Sequence, residues 1–403
     1  MTLRRYGQLV VIMILLTLPS ILIFAGDNPR VFTEPRRAVS GFGSSHTFTP
    51  HDAIQITSDE EFATTASSEG WPGDGTAERP YVISGLLLSD PSIQPLRIWN
   101  TQVHWVFNNN IVESGAVCGI WVDNTINGVI RNNTVRNRHS GVILQNAQNL
   151  TVTENVIHGN TANGIEVLGS LINSTIIGNN IYDNADVGMY IPAAIDSTIV
   201  NNTVAENGGN GITITICTRN IVSNNIVESN GGFGMFVGAS NSLIEGNSII
   251  ESGDDGMTLI SGSMSEILDN TLESNEGYGV SLSGSVRNVT VTLNEFIGNV
   301  GDSQVCDHGI GNEFCYNYYD SWTSPDVDSN EIVDEPYLVD GSAENSDPYP
   351  LASPNAEIPD MTTTTTTSTT PTPPDGTVDL LPLIGGIALV ALVGIVVVAK
   401  RRA

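Results

Sequence analysis

The chain has 403 residues, with 44 Asp and Glu against 15 Lys and Arg, and a formal net charge of −29. Its one lysine is Lys400, so no basic face exists to neutralise phosphates and a nucleic-acid partner is excluded. The acidity suits a solvated surface that attracts cations.

In chain order, Arg4 and Arg5 precede an apolar run from Leu9 to Ala25. This is the n-region and h-region of a secretory signal over residues 1–26, with a retained N-terminal anchor as the alternative. Residues 27–69 read as an N-terminal extension with a cap helix. The first part, to residue 57, carries no periodic pattern, and Ser58-Asp-Glu-Glu61 has the spacing of a capping box that opens a helix through about Ser68. Residues 70–316 are repetitive, and the period is lost over 317–357, a C-terminal cap segment. Residues 358–379 hold the Thr- and Pro-rich tract MTTTTTTSTTPTPPDG, which has no means of building a core and reads as an extended, O-glycosylated stalk. Residues 380–399 carry no charge and Lys400-Arg401-Arg402 follow. That pattern predicts a membrane-spanning helix with residues 400–403 as a cytoplasmic tail. The expected location is therefore the cell surface, with the repeats outside. Five Asn-x-Ser/Thr sequons, at Asn132, Asn149, Asn173, Asn201 and Asn288, permit N-glycosylation there.

Two markers set the period. Gly followed by Ile, Val or Met recurs at Gly119, Gly141, Gly164, Gly188, Gly211, Gly234, Gly256 and Gly279, in steps of 22 to 24. An Asn ahead of an apolar pair recurs at Asn110, Asn133, Asn155, Asn180, Asn202, Asn225, Asn247, Asn270 and Asn294, in steps of 22 to 25. A third series, Asn137, Asn160, Asn184, Asn207, Asn230 and Asn275, lies four residues before most of these glycines. Apolar residues alternate after each Gly, as in Ile120 and Val122 or Ile165 and Val167, which is a half-buried strand. Two shorter apolar segments follow in each repeat. The fold class is all-β: a single-stranded parallel β-helix of about ten coils, each 22–25 residues long, in which stacking buries the face that one coil leaves open. The Leu-x-x-Leu-x-Leu spacing of leucine-rich repeats is absent. The Asn and Gly series are expected to be turn residues that tolerate left-handed backbone.

These coils resemble the right-handed parallel β-helix repeats of the NosD-like family, and more broadly those shared by carbohydrate-binding proteins and sugar hydrolases. The GDGT and RPYVI strings between Gly70 and Gly85, Asn317-Tyr-Tyr-Asp-Ser-Trp322, and the DVDSNEIVDEPYLVDG segment at 326–341 carry the likeness. Signal, β-helix, stalk and terminal span together look like an archaeal surface protein. The resemblance implies right-handed coils, and the NosD name implies copper delivery. Copper needs clustered His, Met or Cys, whereas His46, His51, His104, His139, His158 and His308 are scattered.

Four candidate sites follow. Two residues after each repeat Gly the side chain should face outward, giving Trp121, Ile143, Glu166, Tyr190, Thr213, Phe236, Thr258 and Ser281. At ~4.8 Å per coil, Trp121 and Tyr190 would stand roughly 14 Å apart, and Tyr190 and Phe236 roughly 10 Å. Such a stripe of Trp121, Tyr190 and Phe236, flanked by Asp123 and Glu166, suits stacking on the sugars of an extended glycan. Asp254-Asp255 is the second candidate, a weak catalytic one: it resembles the acidic pair of polygalacturonases, yet no Gly-His-Gly and no Arg-Ile-Lys follows. The third is Asp326, Asp328, Asn330 and Asp334, oxygen donors at positions 1, 3, 5 and 9 of a loop that suits Ca²⁺, although Glu331 and Tyr337 depart from the EF-hand pattern. Fourth, Cys306 and Cys315 are close enough in sequence to form a disulfide in an oxidising exterior, while Cys118 and Cys217 are expected to stay free. The functional expectation is a surface binding or adhesion module for extracellular glycans or surface proteins. Polysaccharide cleavage and a structural envelope role are the alternatives.

Overall fold

The structure, a computed structural model, describes residues 47–356 apart from 92–93, 114–117, 302, 323 and 355. The signal, stalk, membrane span and tail expected at 1–26, 358–379, 380–399 and 400–403 lie outside the described residues. Among those described, no helix is long and apolar enough to cross a membrane.

Three parallel sheets run the length of the molecule. Sheet 1 has twelve strands from Thr49–His51 to Tyr318–Tyr319, sheet 3 has eleven from Tyr81–Ser84 to Glu313–Cys315, and sheet 2 starts at Ile54–Ile56 and ends at Val305–Asp307. Strands in these sheets pair parallel with their counterparts one coil away, and the longer strands of sheet 2 carry a register shift in their second halves. The core is the inside of this tube. Ile120, Val122, Val142, Leu144, Ile165 and Val167 are fully buried, as the alternating pattern requires.

The Asn series does more than make turns. Asn110, Asn133, Asn155, Asn179, Asn202, Asn225, Asn247, Asn270, Asn294 and Asn317 are all buried. Each donates its backbone N–H and its side-chain Nδ2–H to the Oδ1 of the next, as Asn202 does to Asn225 at 3.0 Å in both cases. In the fourth coil it is Asn179, not Asn180, that continues this ladder; Asn180 lies in the following strand and is exposed. The left-handed backbone expected of these positions falls instead one residue earlier, at Asn132, Glu154, Gly178, Asn201, Asn224 and Gly246. A second ladder links Asn160, Asn184, Asn207 and Asn230. Asn137 does not join it. Its turn is one residue shorter, so Arg138 takes the ladder position and donates its backbone N–H to Asn160 Oδ1.

The repeat glycines also serve a different purpose from the one their sequence suggests. Gly141, Gly164, Gly188 and Gly211 do not adopt positive φ. They sit against the coil above: a Cβ on Gly211 would come within 2.7 Å of the Gly234 carbonyl oxygen and 2.4 Å of Val227. Glycine is required there for close approach of backbones.

Both ends differ from the regular coils. The solenoid begins earlier than expected, since Thr49–His51 and Ile54–Ile56 already pair in sheets 1 and 2. Helix α1 (Asp59–Glu69) therefore interrupts the first coil rather than preceding it. Ser58 Oγ caps it by accepting from Glu61 N–H at 3.2 Å, and Gly70 ends it in the left-handed region. Phe62 from α1 stacks on Tyr81 with centroids 5.0 Å apart and closes the tube. At the other end Phe296, Tyr319 and Tyr337 stack in turn, at 5.2 and 3.7 Å, and the antiparallel pair Tyr337–Leu338 with Ser346–Asp347 covers the last coil.

Cys306 and Cys315, expected to pair, are not bonded to each other here. Cys306 is on sheet 2 and Cys315 on sheet 3, so their side chains face different partners. Cys306 Sγ lies 3.4 Å from His308 Nε2, Cys315 Sγ lies 3.5 Å from Thr292 Oγ1, and both thiols are free. Cys118 and Cys217 are free and buried.

Candidate functional site

Sheet 2 offers the broadest outer face, because its strands between Val142 and Thr218 run to seven or eight residues while most others have three or four. Strand pairing sets Arg97, Trp121, Ile143, Glu166, Tyr190, Thr213, Phe236, Thr258 and Ser281 on successive rungs of one outward row. This is the row read from the sequence, extended one coil further down by Arg97. Glu166 is a member of it. Asp123 belongs to a neighbouring row, in register with Trp99 and Gln145.

The row is not uniformly open. The Arg97 guanidinium lies 3.9 Å from the centroid of the Trp99 ring and 4.7 Å from that of Trp121. One face of Trp121 is thus committed to a cation–π contact inside the protein, and its Nε1–H donates to Gln145 Oε1 at 3.3 Å. Trp121 thus keeps its place on the outward row with one face already covered by Arg97. Extending the row by one coil would have found Arg97, but Pro95-Leu96 stands there where later coils have Gly-Ile. Higher up, Tyr190 lies between Glu166 and Thr213, and Phe236 between Thr213 and Thr258. Glu166 accepts from Ser140 Oγ at 2.8 Å, and Phe236 packs against Phe233 with centroids 5.2 Å apart. Thr213 is short and nearly covered, so the rings of Tyr190 and Phe236 stand two rungs apart with little between them.

Asp255 borders this row and explains itself structurally. Its Oδ1 accepts from Tyr278 N–H at 2.8 Å and its Oδ2 from Thr258 Oγ1 at 2.7 Å. Two coils earlier, Asn210 touches the corresponding partners, accepting from Phe233 N–H and donating Nδ2–H to Thr213 Oγ1. Asp255 stands where other coils use Asn. Burial pushes its carboxyl above the ordinary carboxylate range. Asp254 accepts from the Asp255 N–H at 3.0 Å, so the two carboxylates hold turns and do not face each other across a cleft.

The upper end of the row holds a group that the sequence did not single out. Ser281 pairs with Cys306, whose sulfur faces His308. His308 Nδ1 receives the Ser342 N–H at 3.0 Å. Neutral His308 must then carry its proton on Nε2, pointing at the sulfur, so it does not act as a base toward Cys306. Burial, then Asp340, push that thiol up to about 11. The pair has the wrong tautomer for a nucleophile and base. Beside it Tyr278 donates its hydroxyl proton to Asp340 Oδ2 at 2.5 Å.

The acidic loop also holds itself. Asp326 accepts from the N–H groups of Asn330 and Glu331, Asp334 from that of Val327, and Asn330 Oδ1 from that of Ile332. Among the described residues no three His, Cys, Asp or Glu side chains converge as a metal site. All five sequon asparagines are exposed and have positive φ. Asn149 and Asn173 sit on adjacent coils, with Asn173 Nδ2 2.6 Å from Asn149 Oδ1. An open depression of ≈ 410 Å³ lies elsewhere, at the corner of sheets 2 and 3 beside Arg219, Ile221 and Met264.

No curated protein matches the sequence. Several solved structures share the architecture at low identity. The A-module of a mannuronan C-5 epimerase from Azotobacter vinelandii is 16% identical, with 65% of this chain and 90% of that one covered and a TM-score of 0.43. For the Dettilon tailspike protein the values are 14%, 66%, 61% and 0.34. For a DFA-IIIase mutant from Arthrobacter chlorophenolicus they are 14%, 58%, 57% and 0.38. Likeness at this level says nothing of ligand or reaction. The sequence itself matches the family described as the right handed beta helix region over residues 96–240 and 175–317, more than half its length, so the chain belongs to the right-handed β-helix family.

Proposed function

We propose that this β-helix is a binding module for extracellular glycans, held at the cell surface by the apolar segment 380–399. The glycan runs along the coil stack over Glu166, Tyr190, Thr213, Phe236 and Thr258. The observation that carries this reading is the pairing register, which sets Tyr190 and Phe236 on one outward row. Two coils separate them, or about 10 Å, with polar groups at each side. Aromatic faces stack on the apolar faces of sugar rings, while carboxylate and hydroxyl groups hydrogen-bond their hydroxyls. Catalysis is no part of the proposal, because Asp254 and Asp255, the carboxylates weighed for it, are engaged in turns.

The test immobilises the full-length protein in detergent and exposes it to a panel of polysaccharides, with and without Ca²⁺, recording both retained sugar and released short products. Retention without products is expected. Tyr190→Ala with Phe236→Ala should weaken it at least about tenfold, equivalent to about 1.4 kcal/mol, while Trp121→Ala should weaken it less. Short products would replace binding with cleavage, and no retention by any polysaccharide would sink the glycan reading.

A further inference from the structure

Sheet 1 carries an outward row of its own. Register sets Glu113, Arg136, His158, Tyr182, Ala205 and Glu228 on successive rungs. The lower part is filled rung by rung. Arg136 donates from Nε and Nη2 to Glu113 Oε2 at 2.9 and 2.6 Å. His158 and Tyr182 stack with centroids 4.8 Å apart and planes 4° from parallel. The stack then stops, because the next rung is Ala205. Two rungs separate Tyr182 from Glu228, about 10 Å, so the upper face of Tyr182 looks across a methyl group toward a carboxylate. A third group seated over Ala205 would lie one rung from each.

The surroundings of this notch are acidic. Glu206 follows Ala205 in a left-handed turn; Ile250 occupies the rung above Glu228, and the next residue, Glu251, accepts from Ser229 Oγ at 3.1 Å. Burial, then Glu251 and Glu206, raise the Glu228 carboxyl above its ordinary value. Arg136 lies three rungs below Ala205 and is already paired with Glu113. An aromatic face opposite a set of carboxylates attracts a compact organic cation, through its charge to the glutamates and its body to the ring.

We propose that the notch formed by Tyr182, Ala205 and Glu228 binds an organic ammonium group one coil thick. It lies on a different sheet from the Tyr190–Phe236 row and does not depend on that row's ligand. Two sources share the chemistry: a small free amine and an amino sugar within a polymer.

Calorimetric titration of the full-length protein in detergent separates them. The probes are tetramethylammonium, a glucosamine tetramer and its fully N-acetylated counterpart. Binding of tetramethylammonium assigns a small amine, and binding of the glucosamine tetramer alone assigns an amino-sugar chain. In either case Ala205→Leu, which fills the notch from the solvent side, should lower affinity at least tenfold. Glu228→Gln, which keeps the shape, should do the same and flatten the salt dependence. Equal binding of the N-acetylated tetramer would overturn the proposal, as would no binding of any probe, or binding unchanged in both variants. Tyr190→Ala with Phe236→Ala should leave the tetramethylammonium response intact, so the two sites fail or succeed separately.

Discussion

Glycine enters this chain for two reasons that a sequence writes with the same letter. Gly211 is packed under the next coil, whereas a Cβ on Gly178 would meet only Glu154 Cγ at an ordinary 3.9 Å, but its φ is +66°. Adding one methyl group to each should separate the two. Gly211→Ala forces a backbone contact and is expected to cost about 1–3 kcal/mol or more, while Gly178→Ala carries only the left-handed strain, about 1 kcal/mol. Urea denaturation midpoints of the two variants check the order, and a larger loss in Gly178→Ala would refute this account of the glycines. The same ambiguity governs the asparagines. Where Asn179 and Asn180 stand side by side, composition does not say which is buried; only the stacking of coils above and below selects Asn179. The outward row of sheet 2 was legible because period-2 alternation fixes which side chains leave the core. The Arg97 contact under Trp121 was not, since it depends on how two side chains fold over one another.

At the scale of the element, the long Asn ladder is the main polar structure inside the tube. Asn225 donates three hydrogen bonds, two to Asn247 Oδ1 and one to the Ile199 carbonyl, and accepts two from Asn202. Asn225→Leu strands buried groups on both neighbouring coils. Each unsatisfied group costs about 1–3 kcal/mol, so a loss of about 3–5 kcal/mol is expected in thermal or urea unfolding. The ladder ends on Asp347, whose Oδ2 accepts from both Asn317 N–H and Nδ2–H at 3.0 and 2.9 Å. Burial raises this carboxyl above its ordinary value. An unfolded Asp releases its proton near pH 3.9, and the folded one holds it to a higher pH. The folded state therefore binds more protons in that window, and stability falls as pH rises through it. Asp347→Asn keeps an acceptor and removes the titration. From about pH 4 toward neutrality, wild type should lose stability relative to Asp347→Asn, measured as the difference in melting temperature; a constant difference would mean that Asp347 titrates normally. Caps were the least legible elements. The helix spacing at Ser58 was visible, but its insertion between two strands of the first coil was not, because two three-residue strands are too short to show a period.

For the molecule as a whole, stacking makes each coil depend on its neighbours, so stability is close to a sum of coil and interface contributions. A net charge of −29 opposes that stacking by self-repulsion. Raising NaCl should therefore raise the melting temperature, since exposed pairs such as Arg219 with Asp196 contribute little that salt would remove. A fall would show that ion pairs outweigh repulsion. The ladder that crosses all these coils also has a direction. Along the side-chain ladder every Asn passes its backbone N–H and one Nδ2–H toward the C-terminal end and receives at Oδ1 from the N-terminal side, so the series behaves like a growing polymer with two unlike tips. An asparagine at the last step would hold out fresh amide protons to whatever came next. A carboxylate receives and offers nothing onward. Asp347 thus acts as a chain terminator: it accepts the last donors of this ladder from Asn317, and a second molecule docking end-on would meet no amide donor from the series.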